Sequence, residues 1–183
     1  LRRYLPEDIG IHSCKDASPR FHARLNAKEK TYQYRIWNSE NPCVFDRRYV
    51  AVMPETLDKT AMKAAADFLC GEHDFSAFCG NAKMKKSTVR TIYSIDITEK
   101  DGMVSIKYRG NGFLYNMVRI LTGTLIEVGR GLHKSEEMQE IMEYAGEEGI
   151  PSLSRGLAAL WDKGCSSFGM VFRESLGGAV LLL

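Results

Sequence analysis

Apolar and polar residues alternate along several short segments of the chain, which is the pattern of a half-buried β-strand. From Phe21 to Lys28 every second residue is apolar. After a polar turn, Tyr32, Tyr34 and Ile36 again share one face of an extended segment. Two such segments joined by a short polar connection predict a β-hairpin.

A second pair of alternating segments lies on either side of Asp101-Gly102, a dipeptide typical of tight hairpin turns. Their apolar positions are Tyr93, Ile95, Ile97, Val104, Ile106 and Tyr108. These segments predict a second hairpin. A shorter apolar segment, "RRYVAVM", follows the first hairpin and is expected to be a short strand.

Two further segments have apolar residues at helical spacing, and "KSEEMQEIMEYAG" is predicted as a third helix from the acidic residues near its start. The apolar stripes are Leu57, Ala61, Ala64, Ala65, Phe68 and Leu69 in the first, and Leu114, Val118, Leu121, Leu125 and Val128 in the second, "NGFLYNMVRILTGTLIEVGRG". Gly71 and Gly146 are expected just beyond the first and third helices, and Ser135 is expected to cap the third. Helices interleaved with hairpins predict an α+β domain, an antiparallel or mixed sheet covered by helices on one face.

The composition is that of a globular protein and bounds the function only weakly. The chain has 183 residues, 44% of them apolar, and a formal net charge of +2. This length favours one domain, and so small a charge carries no argument about nucleic acid. Five scattered cysteines without a C-x-x-C pair indicate reduced thiols and no zinc site, hence a cytoplasmic protein. No apolar segment is long enough to predict a membrane span.

Common catalytic motifs are missing from the sequence, so we weigh single residues. Arg119 falls in the most apolar predicted helix, where a guanidinium needs a carboxylate or phosphate partner. Alternatively, its stem lies along the core and its head reaches water. Tyr32 is either a core tyrosine or a ring on which a nucleobase stacks.

The segment "GEHDFSAFCGNAKMKKSTVR" shows no period and is expected to be a long irregular loop. It combines aromatic residues with cations, as RNA-binding loops do, although a solvated lysine cluster is the simpler interpretation. The polar face of the first predicted strand is open to the same two interpretations. The candidate RNA contacts are His22, Arg24, Phe75, Phe78, Lys83, Lys85 and Lys86.

Six motifs in series make the chain resemble the tRNA pseudouridine synthase A family. They are "YLPEDI", "FHAR", "KTYQYRI", "FLCGEHDFSAFCG", "STVRTI" and "GNGFLYNMVRILTGTLIEVG", and they extend over residues 1–146. The resemblance implies a pseudouridine synthase fold and a cofactor-free isomerisation of uridine in the anticodon stem-loop of tRNA. It also implies a homodimer that uses an aspartate nucleophile and no metal.

The resemblance assigns roles to two residues. Tyr32 in "KTYQYRI" matches the tyrosine that stacks on the target base, and Arg119 in "YNMVRI" matches the basic partner of the catalytic aspartate. The nucleophile itself belongs to a Gly-Arg-Thr-Asp-Ala-Gly motif that should precede "YLPEDI" and does not occur in this sequence. Together with the missing initiator methionine, this indicates the C-terminal part of the enzyme, which we expect to be inactive alone.

Residues 147–183 depart from the family pattern and form an atypical tail. The family ends with a strand that opens on Gly-Leu-aromatic-Leu, whereas this tail has no clean period and ends in apolar residues. Permitted codons for Trp161 to Ser167, shifted by two nucleotides, can encode Gly-Gln-Gly-Leu-Phe-Leu. We therefore hypothesise that the tail is frameshifted.

The sequence leaves open two functions other than that of part of an enzyme. A non-catalytic RNA-binding module would bind tRNA in a salt-dependent way without depending on Tyr32 or Arg119. A subunit that only dimerises would not bind tRNA at all.

Overall fold

The structure, a computed structural model, describes residues 2–4, 14, 16–22, 26–47, 49–81, 84–143 and 173–174. Strands and helices are interleaved along these residues. The elements are β1 (Lys30–Trp37), β2 (Ala51–Val52), α1 (Lys59–Phe68), β3 (Gly71–Asp74), β4 (Val89–Lys100), β5 (Met103–Gly110), α2 (Met117–Gly129), α3 (Glu137–Glu143) and β6 (Arg173–Glu174). The predicted α+β class is confirmed.

One mixed sheet has the strand order β2-β1-β5-β4-β3. The pairs β1–β5, β5–β4 and β4–β3 are antiparallel, and β2 is parallel to the end of β1. The two residues of β6 pair with Lys30 and Thr31 at the start of β1. In this order β1 and β5 run side by side, so that Tyr32 lies opposite Tyr108.

The hairpin predicted around Asp101-Gly102 is confirmed as β4 and β5. Both turn residues have positive φ angles, 52° and 77°, as a turn that matches the twist of its strands requires. A register shift between Ile92 and Ser94 interrupts the alternation. It buries Ile92 and turns Tyr93 outwards, whereas the sequence pattern had placed Tyr93 on the inner face.

The first predicted hairpin is wrong, because β1 pairs with β5 and the described residues of the segment 21–29 are not in a strand. Among the described residues of that segment, His22 and Asn26 form a local turn. The Asn26 N–H donates to the His22 carbonyl at 2.9 Å, and the His22 N–H donates to Asn26 Oδ1 at 2.6 Å. Alternation alone cannot distinguish a strand from a segment whose polar side chains close such a turn.

Helix α1 begins one residue after Asp58, whose side chain accepts the backbone N–H groups of Thr60 and Ala61 at 2.9 and 3.0 Å. Its buried face is formed by Met62, Ala65 and Ala66. The sequence predicted a different buried face, which included Ala64 and Phe68. The prediction differs because apolar residues occur on both sides of this helix. Gly71 is the first residue of β3 rather than the residue after a helix end.

Helix α2 packs against α1 and buries nearly all of its side chains. It begins at Met117, so Leu114 belongs to the turn before it and not to the helical stripe. Helix α3 begins at Glu137, later than the cap predicted at Ser135, and Gly146 lies outside the described residues. None of the helices in the described part of the chain has both the length and the apolar character needed to cross a membrane.

The segment predicted as a long irregular loop contributes to the core. It contains β3 and a short 3₁₀ turn, Ser76–Phe78. Phe75 and Phe78 are 0% and 1% exposed, and their rings pack against each other at 6.3 Å. The predicted RNA contacts at Phe75 and Phe78 are therefore wrong, because a buried ring has no face available to a base.

The predicted tail, residues 147–183, lies outside the described residues except for Arg173–Glu174 in β6. The frameshift hypothesis therefore stays a prediction.

A buried hydrogen-bond chain joins the sheet to α2. Thr122 donates its hydroxyl proton to the Val118 carbonyl at 2.8 Å, so the Tyr108 hydroxyl, 2.8 Å from Thr122 Oγ1, must be the donor in that pair. Burial raises the pKa of Tyr108 far above its usual range, which keeps this donor protonated. The central strand and the helix are thereby held in one relative position.

Removing the two partners of this pair should have unequal costs. Tyr108→Phe should lower the free energy of unfolding by about 1 kcal/mol, because Thr122 keeps its bond to Val118. Thr122→Val should cost about 1 to 3 kcal/mol, because it leaves the buried tyrosine hydroxyl without an acceptor. Urea unfolding followed by circular dichroism measures both. Equal losses would contradict the assigned donor, and the double variant should be more stable than Thr122→Val alone.

Candidate active site

The turn between β5 and α2, residues 111–116, forms one wall of a pocket at the end of the sheet. Asn111 ties this turn to β4. Its N–H donates to the Thr91 carbonyl at 3.0 Å, its Oδ1 accepts the Thr91 N–H at 3.0 Å, and its Nδ2 lies 3.3 Å from Thr91 Oγ1. Three bonds to one residue fix where the turn leaves the sheet.

Gly110, just before the turn, has no room for a side chain. A Cβ atom there would lie 2.7 Å from the Thr91 carbonyl oxygen and 3.1 Å from Cζ of Phe113. The first atom belongs to the backbone of a central strand and cannot move aside. Glycine therefore allows both the close approach to β4 and the position of the Phe113 ring.

The Phe113 ring contacts the side chain of Tyr32 on the neighbouring strand β1. The ring centroids are 5.1 Å apart and the planes are inclined by 83°, an edge-to-face arrangement that aromatic pairs favour. Tyr32 is half-buried and also lines the pocket. Phe113 thus fixes the orientation of the ring that the resemblance assigned to base stacking.

Arg119 lies in the first turn of α2 and reaches the hydroxyl of Tyr34, to which it is hydrogen bonded. Burial raises the pKa of Tyr34, and the charge and hydrogen bond of Arg119 oppose that rise. Tyr34 is 2% exposed, so it is a core tyrosine whose polar end faces the pocket. Arg119 is half-buried, so it is less exposed than an arginine whose guanidinium extends freely into water.

The N-terminus of α2 adds positive potential to the same place. Asn116 precedes the helix in the left-handed conformation, with φ of 56°, and its side chain makes no capping bond. The first residues of the helix line the pocket together with Arg119. The positive end of a helix beside a guanidinium favours a negatively charged group.

The pocket has a volume of about 210 Å³. The side chains with a chemical role that line it are Tyr32, Tyr34, Phe113, Tyr115 and Arg119. The lining therefore combines aromatic rings with a guanidinium. Such an arrangement can hold a planar ring against tyrosine and an anion against arginine.

None of the other predicted site residues that the structure describes lines this pocket. His22 lies in the exposed turn with Asn26, and Lys85 and Lys86 are exposed in the segment before β4. Arg24 and Lys83 are outside the described residues. The backbone of that lysine-bearing segment reaches the pocket at Gly80, whose N–H donates to the Tyr115 carbonyl at 2.8 Å.

A family model described as tRNA pseudouridine synthase matches residues 65–155, which include the whole 111–116 turn and α2. A Bacillus cereus protein named tRNA pseudouridine synthase A 2 is 48% identical over 143 residues, 78% of this chain and 58% of that protein. The chain belongs to the tRNA pseudouridine synthase family.

Other members of the tRNA pseudouridine synthase family show the same coverage. Clostridium tetani tRNA pseudouridine synthase A 1 is 48% identical over 75% of this chain and 56% of its own length. A Bacillus protein named tRNA pseudouridine synthase A is 45% identical over 78% of this chain and 59% of its own. The chain spans less than two thirds of the length of these curated relatives.

Sequence reasoning missed Phe113 and Tyr115, which line this pocket, and Gly110, which allows the position of the Phe113 ring. All three lie in "GNGFLYN", which was interpreted as the start of a helix. Two glycines two residues apart are poor helix formers and were the available signal for a turn.

The close approach at Gly110 predicts a large difference between the two glycines of this turn. Gly110→Ala should lower the free energy of unfolding by about 1 to 3 kcal/mol, since β4 or the Phe113 ring must shift. Gly112→Ala is the matched control, because a Cβ there lies 3.8 Å from the flexible Arg90 side chain. Urea unfolding should show Gly112→Ala near wild type, and equal stabilities of the two variants would refute the steric account.

Proposed function

We propose that this chain is the part of a tRNA pseudouridine synthase that holds the target uridine and the basic partner of the catalytic aspartate. One observation carries the proposal. Tyr32 and Arg119, which the resemblance assigned separately from two distant motifs, line the same pocket. The family membership and the names of the relatives support tRNA as the substrate.

In the proposed reaction the ribose C1′ to uracil N1 bond breaks, the base turns within the site, and C1′ joins C5. N1 keeps the electron pair of the broken bond and gains a proton, while C5 loses its proton to solvent, so the net change is an isomerisation that needs no cofactor. Arg119 keeps the aspartate ionised, since an opposite charge within about 4 to 6 Å favours the charged carboxylate. The hydrogen bond to Tyr34 orients the guanidinium towards the pocket.

Tyr32 supplies the surface that replaces stacking in the RNA. A uridine that leaves its stem loses a few kcal/mol of stacking and pairing, and an aromatic ring in the site recovers part of it. The contact with Phe113 holds the tyrosine ring ready in one orientation. Ordering of the ring then adds little to the cost of binding.

Among the described residues that line the pocket, none carries a carboxylate. The family aspartate in its Gly-Arg-Thr-Asp-Ala-Gly context is not in this sequence. We therefore propose that the nucleophilic aspartate is supplied by a segment other than the described residues of this chain. It would lie opposite Arg119.

This assignment predicts no turnover by the isolated chain. Incubation with tRNA tritiated at uracil C5 should release no more tritium than a reaction without protein. The longer Bacillus cereus relative is the positive control on the same tRNA. Tritium release by the chain alone would refute our account of the nucleophile.

The pocket should nevertheless bind RNA through Tyr32. Tyr32→Ala should weaken binding to an anticodon stem-loop RNA by at least about fivefold, from the 1 kcal/mol or more that one stacked base contributes. Tyr32→Phe should bind like wild type, because stacking needs the ring and not the hydroxyl. Tyr93→Ala, at a tyrosine that is 50% exposed and does not line the pocket, is the matched control. Fluorescence anisotropy at low salt measures all four proteins.

The same titrations distinguish the two alternatives. A non-catalytic RNA-binding module would bind the stem-loop equally well with Tyr32→Ala and Tyr93→Ala. A subunit that only dimerises would show no binding with any variant. The homodimer implied by the resemblance and the cytoplasmic location indicated by the cysteines stay predictions.

The frameshifted tail is a separate proposal. The family match extends to residue 155, which supports a shift after that residue rather than directly after Gly146. Resequencing the gene tests it, and an unbroken reading frame through codons 156–183 would refute it.

A further inference from the structure

Tyr115 is a large aromatic side chain exposed at the edge of the pocket. It is 66% exposed, whereas Leu114 before it and Met117 after it are 6% and 0% exposed. The ring is therefore directed outwards between residues that anchor the turn in the core. Its exposure results from the backbone conformation and not from a loosely attached loop.

Two backbone features hold Tyr115 in place. Its carbonyl accepts the Gly80 N–H at 2.8 Å, and Asn116 after it adopts a left-handed conformation that few residues other than glycine or asparagine tolerate. Gly80 also passes close to the ring, since a Cβ there would lie 3.1 Å from Tyr115 Cδ1 and 3.0 Å from Asn116 Cβ. The aromatic ring is thus positioned before any ligand arrives.

The charges around Tyr115 favour an anionic ligand with planar groups. Arg119 and the N-terminus of α2 line the same pocket as Tyr115. Single-stranded nucleic acid matches this combination, because its bases stack on aromatic rings while its phosphates contact cations. An apolar protein partner would gain nothing from the cations.

We propose that Tyr115 is a second stacking surface, which holds an unpaired nucleotide next to the uridine bound at Tyr32. The inference rests on the proposed function, since it assumes that the pocket receives a base from RNA. When one base leaves the stack, its neighbour loses a stacking partner. Tyr115 covers that neighbour, so two adjacent nucleotides are bound by two rings that line the same pocket.

The experiment uses the full chain and a synthetic RNA hairpin of anticodon stem-loop size with the fluorescent base 2-aminopurine next to the target uridine. Wild type should quench this fluorescence, because 2-aminopurine is quenched when it stacks. Tyr115→Ala should weaken binding by at least about fivefold and abolish the quenching. Tyr115→Phe should keep both, since only the ring is needed.

Tyr49→Ala is the matched control for Tyr115→Ala. Tyr49 is 58% exposed and does not line the pocket, so its removal should leave binding and quenching unchanged. Urea unfolding should show all three variants near wild type, because both tyrosines are exposed. A variant that binds weakly while it is folded then reports a lost contact.

Including Tyr32→Ala separates failure of this inference from failure of the proposed function. If Tyr32→Ala weakens binding and Tyr115→Ala behaves like Tyr49→Ala, the second stacking surface is refuted and the proposed function stands. If Tyr115→Ala weakens binding and Tyr32→Ala does not, the role of Tyr32 is refuted, and with it the placement of Tyr115 next to a uridine bound at Tyr32. No binding by wild type would refute both.

Discussion

The turn that carries most of the candidate site can form only because the backbone at Gly110 passes very close to the backbone at Thr91. At this approach β5 leaves the sheet, and Asn111 fixes it with three hydrogen bonds to Thr91. The position of Phe113 follows, and with it the orientation of Tyr32 on a strand from a distant part of the sequence. The close approach of Gly110 to β4 thus determines the orientation of an aromatic ring on β1.

Helix α2 is held from two sides, and this determines where Arg119 can point. Tyr34 contacts the guanidinium from β1, while Tyr108 on β5 bonds Thr122 one turn further along the helix. The two tyrosines also contact each other edge to face, with centroids 6.5 Å apart. The guanidinium of Arg119 is therefore attached to the core of the sheet, which suits the proposed pairing with a carboxylate in a defined geometry.

The parts of the fold that the sequence predicted well have a clear period. The β4–β5 hairpin combines alternation with the turn signal Asp101-Gly102, and α2 has apolar residues at helical spacing over most of its length. The first hairpin failed because alternation before Glu29 had no comparable turn, and the true partner of β1 is β5, more than sixty residues away. Phe75 and Phe78 were misjudged because an aperiodic segment can still bury its aromatic residues.

For the site, the family motifs identified Tyr32 and Arg119, and physical reasoning on single residues did not. Arg119 could equally have been an arginine at the edge of a stripe until Tyr34 was seen beside it. Phe113 and Tyr115 were out of reach, because their roles depend on the left-handed Asn116 and on contacts with Gly80 and Tyr32. Such three-dimensional contacts have no signature in a linear pattern.

Tyr34 belongs to the hydrophobic core and to the pocket at once, and this restricts which residues can occupy its position. A phenylalanine would fill the same volume but would leave the guanidinium of Arg119 without this acceptor. A smaller polar residue could accept the hydrogen bond but would open a cavity beneath β1. The residue at position 34 must therefore both fill the core and accept the hydrogen bond from Arg119. Two requirements limit substitution there, whereas packing alone limits substitution at most core positions.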